Sequence, residues 1–382
     1  MEIIRPLTAM GLMSGTSMDG VDAALLVTDG VDVFQFGKAL NRPYDMEMRA
    51  ELRAVCGKKA LEGGKEVAEI EKKMTLFHAE VVAELLELAG LRAEDVDVIG
   101  FHGQTLFHNP SEHQTLQIGD GDLLASETHI PVVNRFKYAD MANGGQGGPL
   151  LPSYHAALAR DMEKPIAILN IGGVTNITWI GENGELVAFA TGPGNALIDD
   201  WMMKKHGTNM DYDGNMAAAG TVDEKIVATM MKRPYFKKAP PKTLDRDEFS
   251  ERIMDNLEGA SVADGAATLT AFTAQAIACG ARDFLPKPPK KWIVSGGGAN
   301  NPTLMRMLRQ RLEAPVEVAS KVGWDGDAME AQGYAFLAAR SIFGLPLSFP
   351  GTTGVPHSMC GGSYHAIPDA AKEKRKSRKN QF

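Results

Sequence analysis

The strongest constraint on how this chain folds is a set of three glycine-rich turns, each entered directly from an apolar strand. The first spans Gly11 to Gly20 (GLMSGTSMDG) and continues into the apolar run Val21 to Val27. The second is NIGGVTNIT, Asn170 to Thr178, inside the apolar stretch from Ile166 to Ile180. The third is SGGGANN, Ser295 to Asn301, reached from Lys291 to Val294. Successive turns lie roughly 155 and 125 residues apart. One such turn alone is as readily a polar β-turn of ordinary sheet, because short glycine strings are weak signals. Two strand–turn–strand units and one strand-to-helix turn, the last with Pro302 set to begin its helix, are much more specific. They describe an α/β chain whose hairpins aim backbone N–H groups at an anion. In the first turn the hydroxyls of Thr16 and Ser17 and the carboxylate of Asp19 add to those donors, with Asp19 where a magnesium ion would be held.

A chain of 382 residues exceeds one small core and predicts two domains with a cleft between them. Hydrophobic residues at 44% and charged residues at 23% exclude a largely disordered chain. A net charge of −8 argues against nucleic acid as the main partner. The basic run Lys372 to Asn380 reads as a solvated terminus. Cys56, Cys279 and Cys360 have neither metal-ligand nor C-x-x-C spacing, as expected of a reducing compartment. No apolar run reaches membrane-spanning length and the first residues lack a signal-peptide core, so the expected location is the cytoplasm, with no membrane partner.

Along the chain, paired strands are expected over residues 8–37 and helices over 45–56 and 64–89, the second closed by Gly90. Val96 to Phe101 reads as a buried strand that delivers His102-Gly-Gln-Thr105 at its carboxyl end, where open α/β sheets present ligand groups. Leu116–Gly119 and Pro131–Val133 are expected as edge elements. Gly144 to Pro149 is expected to mark the boundary between domains. After Ile166 the strand–turn–strand plan of residues 8–27 repeats, followed by a short strand at Val187–Ala190 and the turn TGPGN. Helices are expected over 196–205, 260–279, 302–312 and 329–342, with a polar, proline-broken segment over 221–258 and coil from Pro346 to Thr353.

The strings GLMSGTSMDGVD, HGQT, GGQGGPL, NIGGVTNIT, TGPGN, SGGGANN, MEAQGYAFLA and FPGTTG together resemble the anhydro-N-acetylmuramic acid kinase family over residues 8–362. The resemblance implies the two-lobed, duplicated ribonuclease H-like fold of actin, hexokinase and Hsp70, with ATP in the interlobe cleft. Lobe one is expected over 1–140 plus about 346–382, and lobe two over 141–345. The implied activity uses ATP and Mg²⁺ to open the 1,6-anhydro ring of a cell-wall sugar with water and to phosphorylate its O6, in murein recycling. The implied partner is that small anhydro-sugar, and a helix-rich second lobe permits a homodimer.

For ATP, the first hairpin nominates Ser14, Gly15, Thr16, Ser17, Met18, Asp19, Gly20, Val21 and Asp22, and the second nominates Gly172, Gly173 and Thr175. Gly296, Gly297, Gly298 and Asn300 are expected under the adenosine, since glycine lets a flat ring approach the backbone. Asp19 is the expected magnesium holder through water, in keeping with the hydration Mg²⁺ retains. His102, Gln104 and Thr105 point to the sugar, and the resemblance assigns Glu330 there as well. A histidine in such a place is as readily a hydrogen-bonded structural residue, and a glutamate at a helix N-terminus is favoured by the dipole alone.

Two positions depart from the family pattern. The strand before TGPGN ends in Ala190, where the family carries the aspartate that acts as general base on the attacking water. A methyl group accepts no proton, and the loss of a positioned base costs about 10²–10⁴ in rate. Asp199 and Asp200 are the nearest carboxylates in sequence but fall on the following helix. Asn134-Arg-Phe-Lys137 replaces an Asp-Phe-Arg string, leaving Arg135 and Lys137 as candidates for the substrate carboxylate or as exposed cations. An ATP- and sugar-binding homologue without turnover, and a kinase of a different anhydro-sugar, stand as the alternative readings.

Overall fold

The computed structural model describes residues 5–15, 18–244, 249 and 253–369. Thr16, Ser17 and the basic run Lys372 to Asn380 lie outside the described residues. The chain divides into two compact units. The first holds the described residues up to Leu158, Glu330–Pro350 and those from Val355 onward, and the second holds Ala159–Met329 with Gly351–Gly354.

In the first unit, β1 (Leu7–Met13), β2 (Gly20–Thr28) and β3 (Val33–Pro43) form an antiparallel meander. β4 (Val98–Phe101) lies parallel to β1 on its other side. The hairpin of β5 (Gln104–Asn109) and β6 (Gln114–Ile118) forms a separate small sheet. β7 (Val132–Asn134) runs parallel to β4. Side chains alternate across β1. Met10 and Leu12 join the core built with helix Lys65–Ala89, whose Ile70, Met74, Val81, Val82 and Leu85 are buried. Gly11 faces the opposite way and, with its register partner Gly100 on β4, forms a slot for the backbone of helix Met329–Ile342.

In the second unit, β8 (Ile166–Ile171), β9 (Val174–Ile180) and β10 (Leu186–Pro193) make another antiparallel meander. β11 (Trp292–Ser295) runs parallel to β8, and β12 (Val316–Val318) runs parallel to β11. Counting the first five strands of each sheet in chain order, both sheets have the order 3-2-1-4-5, the first three antiparallel and the last two parallel to the first. The duplicated α/β plan expected from the repeated turns is therefore present in the strand order itself. A last short strand, β13 (Ser363–His365), pairs antiparallel with β7 and so extends the first sheet.

Several expectations are corrected. Pro131–Val133 is no edge, because β13 covers its outer side. The two compact units divide after Leu158, with the glycine-rich crossing of 144–149 inside the first. The Asp140 carboxylate accepts from Gly147 N (2.7 Å), and Tyr154 donates to Gln332 (2.8 Å), tying that stretch to the first unit. Helix Met329–Ile342 joins the same unit from Glu330 on, since it packs on β1 and β4. The helix expected to stop at Cys279 runs from Val262 to Phe284, with Ser261 accepting from Asp264 N (3.0 Å) at its N-cap. Gly280 does not end it: a Cβ there would lie 3.1 Å from Thr191 Cγ2, so this glycine serves close packing. Pro350–Thr353 is a helical turn rather than coil.

Candidate functional site

In the first unit the hairpin between β1 and β2 is fastened to the turn that follows β4. Ser14 is fully buried, and its hydroxyl donates to Gln104 Oε1 (2.6 Å) and lies 3.0 Å from the Tyr44 hydroxyl. Gln104 Nε2 donates back to the Gly15 carbonyl (3.0 Å), and His102 N donates to the Leu12 carbonyl (3.0 Å). Ser14, nominated for phosphate, thus shapes the hairpin through its side chain. Met18 and Val21 are buried in the hydrophobic core, leaving their backbone groups as what they can offer an anion. Met18 has φ of 53°, the left-handed conformation that turns the chain sharply before Gly20. Asp19 is solvent-exposed at the tip, and the Asp22 carboxylate accepts from Asn41 (2.7 Å). A single exposed carboxylate suits a cation that keeps its water. Among the described residues there is no cluster of three or more His, Cys, Asp or Glu able to hold a metal directly.

The residues expected at the sugar share this unit. His102 is buried, donates from Nδ1 to the Gly103 carbonyl (2.7 Å) and packs against the Tyr334 ring with centroids 4.8 Å apart. Burial pushes its pKa down to about 3, and the Lys137 charge acts in the same direction against the carbonyls of Gly103 and Ser14. His102 is therefore a neutral imidazole at physiological pH. Burial lowers His108 to about 3 as well, again with help from Lys137. Thr105 Oγ1 is half-buried and accepts from Gln117 Nε2 (3.2 Å). Glu330 lies in the first turn of helix Met329–Ile342, and its charge adds to burial in raising the Tyr334 hydroxyl well above the usual tyrosine range. Arg135 and Lys137 separate: Arg135 is exposed over the Tyr138 ring, whereas the Lys137 charge is felt at both histidines.

In the second unit, three turns meet at a residue the sequence reading left out of the site, Asn195. Its N–H donates to the Gly172 carbonyl (2.8 Å) and its Nδ2 to the Ile171 carbonyl (3.4 Å), while Gly194 N donates to Gly173 (2.8 Å). A Cβ on Gly297 would lie 3.5 Å from Asn195 Nδ2, and one on Gly298 would collide with Ile171 and approach Asn195 Oδ1. The second hairpin, the TGPGN turn and the GGGAN turn are thus one locked assembly. Gly296 holds φ of 75°, and a Cβ there would meet Asn170 Oδ1 at 2.4 Å. Gly297 and Asn300 are exposed, whereas Thr175 is fully buried with no hydrogen-bond partner for its Oγ1 among the described residues. The signal that could have found Asn195 is its place directly after Gly192-Pro-Gly194, at the N-cap of helix Ala196–His206.

Ala190 lies on β10 opposite Asn176, which lies opposite Asn170, whose neighbour on β11 is Ser295. Paired residues share one face of a sheet, so these four form a polar row interrupted by one methyl group. Asn170 and Asn176 are half-buried in strands whose other central positions are buried, and Ser295 Oγ is buried without a partner among the described residues. Ala190 is 1% exposed, and a bulge separates it from Gly192. Asp199 and Asp200 lie on helix Ala196–His206, which buries Ala196, Leu197, Ile198, Trp201 and Met202.

Comparison with known proteins identifies the lineage. The family model for anhydro-N-acetylmuramic acid kinase matches residues 7–366. A protein of that name from Paramagnetospirillum magneticum is 53% identical over 357 residues, covering 94% of this chain and 99% of its own. Its namesake from Rhodospirillum rubrum is 51% identical, covering 93% of each chain. Among solved structures, the activator of 2-hydroxyisocaproyl-CoA dehydratase from Clostridium difficile with bound ADPNP aligns over 97% of this chain and 98% of its own, at TM-score 0.43 and 15% identity. A ROK family glucokinase from Streptomyces griseus in complex with glucose and AMPPNP aligns over 87% and 99%, at TM-score 0.40 and 15% identity. On the family match and the full-length relatives, the chain belongs to the anhydro-N-acetylmuramic acid kinase family.

Proposed function

We propose that the protein is an ATP-dependent sugar kinase of murein recycling that opens the 1,6-anhydro ring of anhydro-N-acetylmuramic acid with water and phosphorylates O6. We further propose that its turnover is impaired because Ala190 stands at the position of the general base. The observation that carries the first reading is the family match over residues 7–366. Bound ATP supplies the transferable phosphoryl group, and Mg²⁺ offsets its charge. The backbone N–H groups of Gly15 and Gly20 in the first unit, and that of Gly173 in the second, are the donors for phosphate oxygens, the Gly172 N–H being already given to the Val174 carbonyl (3.1 Å). Asp19 holds the hydrated cation. Gly296, Gly297, Gly298 and Asn300 lie along the adenosine, and Thr105, Lys137 and Glu330 orient the sugar, while neutral His102 holds the first hairpin to the sugar turn.

A water attacking the anomeric carbon must lose a proton, and the methyl group of Ala190 cannot take it. Asn176, its cross-strand neighbour, can hydrogen-bond a water but is not a base. The cytoplasm suits this chemistry, and the three cysteines are free thiols. No helix among the described residues is long and apolar enough to cross a membrane. A net charge of −8 gives no support to a nucleic-acid partner.

The test is to incubate the protein and its Ala190→Asp variant with the anhydro-sugar, ATP and Mg²⁺ in ¹⁸O-water. The expected product is the ring-opened 6-phosphate with one solvent oxygen at C1, formed about 10²–10⁴ faster by the variant. A variant that binds ATP but gains no rate sinks the lost-base account. Phosphorylation without solvent oxygen at C1 sinks the hydrolytic assignment.

A further inference from the structure

Within the polar, proline-broken segment that precedes helix Val262–Phe284, the structure buries a lysine. Lys242 is 1% exposed and ranks among the largest fully buried side chains of the second unit. Its Nζ lies 4.5 Å from the Phe284 ring centroid, 4.7 Å from that of Tyr235 and 5.8 Å from that of Phe189, and it donates to the Tyr235 carbonyl (3.2 Å). Three ring faces around a cation make an aromatic cage. Desolvation lowers the ammonium to about 8; Lys238 acts in the same direction and Asp283 opposes it, so the charged form still predominates at neutral pH. An apolar side chain would fill this space without the cost of desolvating a charge, so what the ammonium orders around itself needs explaining.

What it orders is position 190. The carbonyl of Lys242 accepts the Ala190 N–H (2.9 Å), and the hydroxyl of Tyr235, whose ring and carbonyl both contact the ammonium, donates to the Ala190 carbonyl (2.7 Å). β10 is an edge strand, so no further strand among the described residues holds residue 190 on that side, and the bulge just beyond it weakens the ladder on the other. A bulge re-aims side chains, and whatever grips its outer edge sets the aim.

We propose that Lys242 is a positioning residue: its caged ammonium locks Tyr235 and its own backbone onto both backbone groups of residue 190, and so fixes where a side chain at that position points. The chemical half of this inference rests on the proposed function; the structural half does not. Phe189 faces the cage and residue 190 faces the other side of the sheet, so Lys242 acts through the backbone and touches no reacting atom.

The test uses Lys242→Met, which keeps the bulk, Lys242→Arg, which keeps the charge, and Tyr235→Phe, which removes only the phenolic donor to the Ala190 carbonyl. In the parent chain, hydrogen exchange at the Ala190 amide is expected to speed up about tenfold in Lys242→Met and Tyr235→Phe, and to return toward the parent rate in Lys242→Arg. In the Ala190→Asp protein, the same two changes should lower kcat about tenfold with KM for ATP within about twofold, again with recovery in Lys242→Arg. An unmoved Ala190 amide, or equal losses in kcat and ATP affinity, overturns the proposal. If Ala190→Asp shows no turnover at all, the base assignment fails, while the exchange measurement still decides the clasp. Should Lys242→Met not fold, Tyr235→Phe carries both measurements.

Discussion

Gly11 and Gly100 face each other on neighbouring strands, and both lie directly under the backbone of helix Met329–Ile342. A Cβ on Gly11 would lie 1.7 Å from the Ala331 carbonyl oxygen and 2.7 Å from the Ala335 nitrogen; one on Gly100 would lie 2.0 Å from the Tyr334 carbonyl oxygen. Ordinary contact begins at 3.4 Å, so Gly11→Ala must drive strand and helix apart by about 1.7 Å. Both obstacles are main chain, which no rotamer change relieves, so the cost should reach the upper part of the 1–3 kcal/mol typical of overpacking, about 3 kcal/mol. With an m-value of about 2–3 kcal/mol/M, the urea midpoint of the first unit should fall by roughly 1 M at unchanged slope. Gly100→Ala should behave alike. The double variant should lose about 1 kcal/mol less than the two single losses together, because one displacement of the helix serves both methyl groups. The same displacement moves Glu330. On the proposed role of Glu330 in orienting the sugar, Gly11→Ala in the Ala190→Asp protein should also lower kcat about 10²-fold, as expected for a misplacement of about 1 Å. A midpoint within about 0.2 M of the parent, or strict additivity in the double variant, refutes the slot.

Two further outcomes follow from buried polar groups. His78, His102 and His155 are lowered to about 4, 3 and 4 chiefly by burial, so the folded chain holds them neutral while the unfolded chain takes up protons. Their contribution is intact above the ordinary value of 6.5 and is lost as pH falls toward 4; between pH 6.5 and 5.5 the three together should remove about 3 kcal/mol, read as a lower urea midpoint of the first unit, and an unchanged midpoint would contradict their neutrality. Asn176 stands directly opposite Ala190, with Cβ atoms about 5 Å apart in such a pair, so Asn176→Asp in the parent chain should restore about tenfold in turnover, less than Ala190→Asp. If Ala190→Asp is active and Asn176→Asp is not, the polar row does not face the reacting water.

Local pattern carried much of the architecture. The helix Lys65–Ala89 and its Gly90 cap follow from apolar spacing and one left-handed residue, and the strands on either side of each hairpin follow from apolar runs broken by glycine. Pattern failed where a residue's role depends on distant partners. The helix expected to end at Cys279 runs on through Gly280, which packs against Thr191. The bonds from the Ser14 hydroxyl to Gln104 and Tyr44 cannot be read from its place in the turn. Lys242 lies in a stretch that reads only as polar and proline-broken, and its burial in a cage of rings appears only in the fold.

The sequence by itself determined the family and the repeated strand–turn–strand plan, because each is a matter of residue identity and of spacing along the chain. Only the tertiary structure decided that both sheets share one strand order, that Gly11 and Gly100 jointly seat the helix bearing Glu330, that Asn195 locks three turns, and that position 190 is gripped by Lys242 and Tyr235. Those contacts join residues tens to hundreds of positions apart. They are fixed by strand register and by the burial of polar groups that must find partners, neither of which is written in local periodicity.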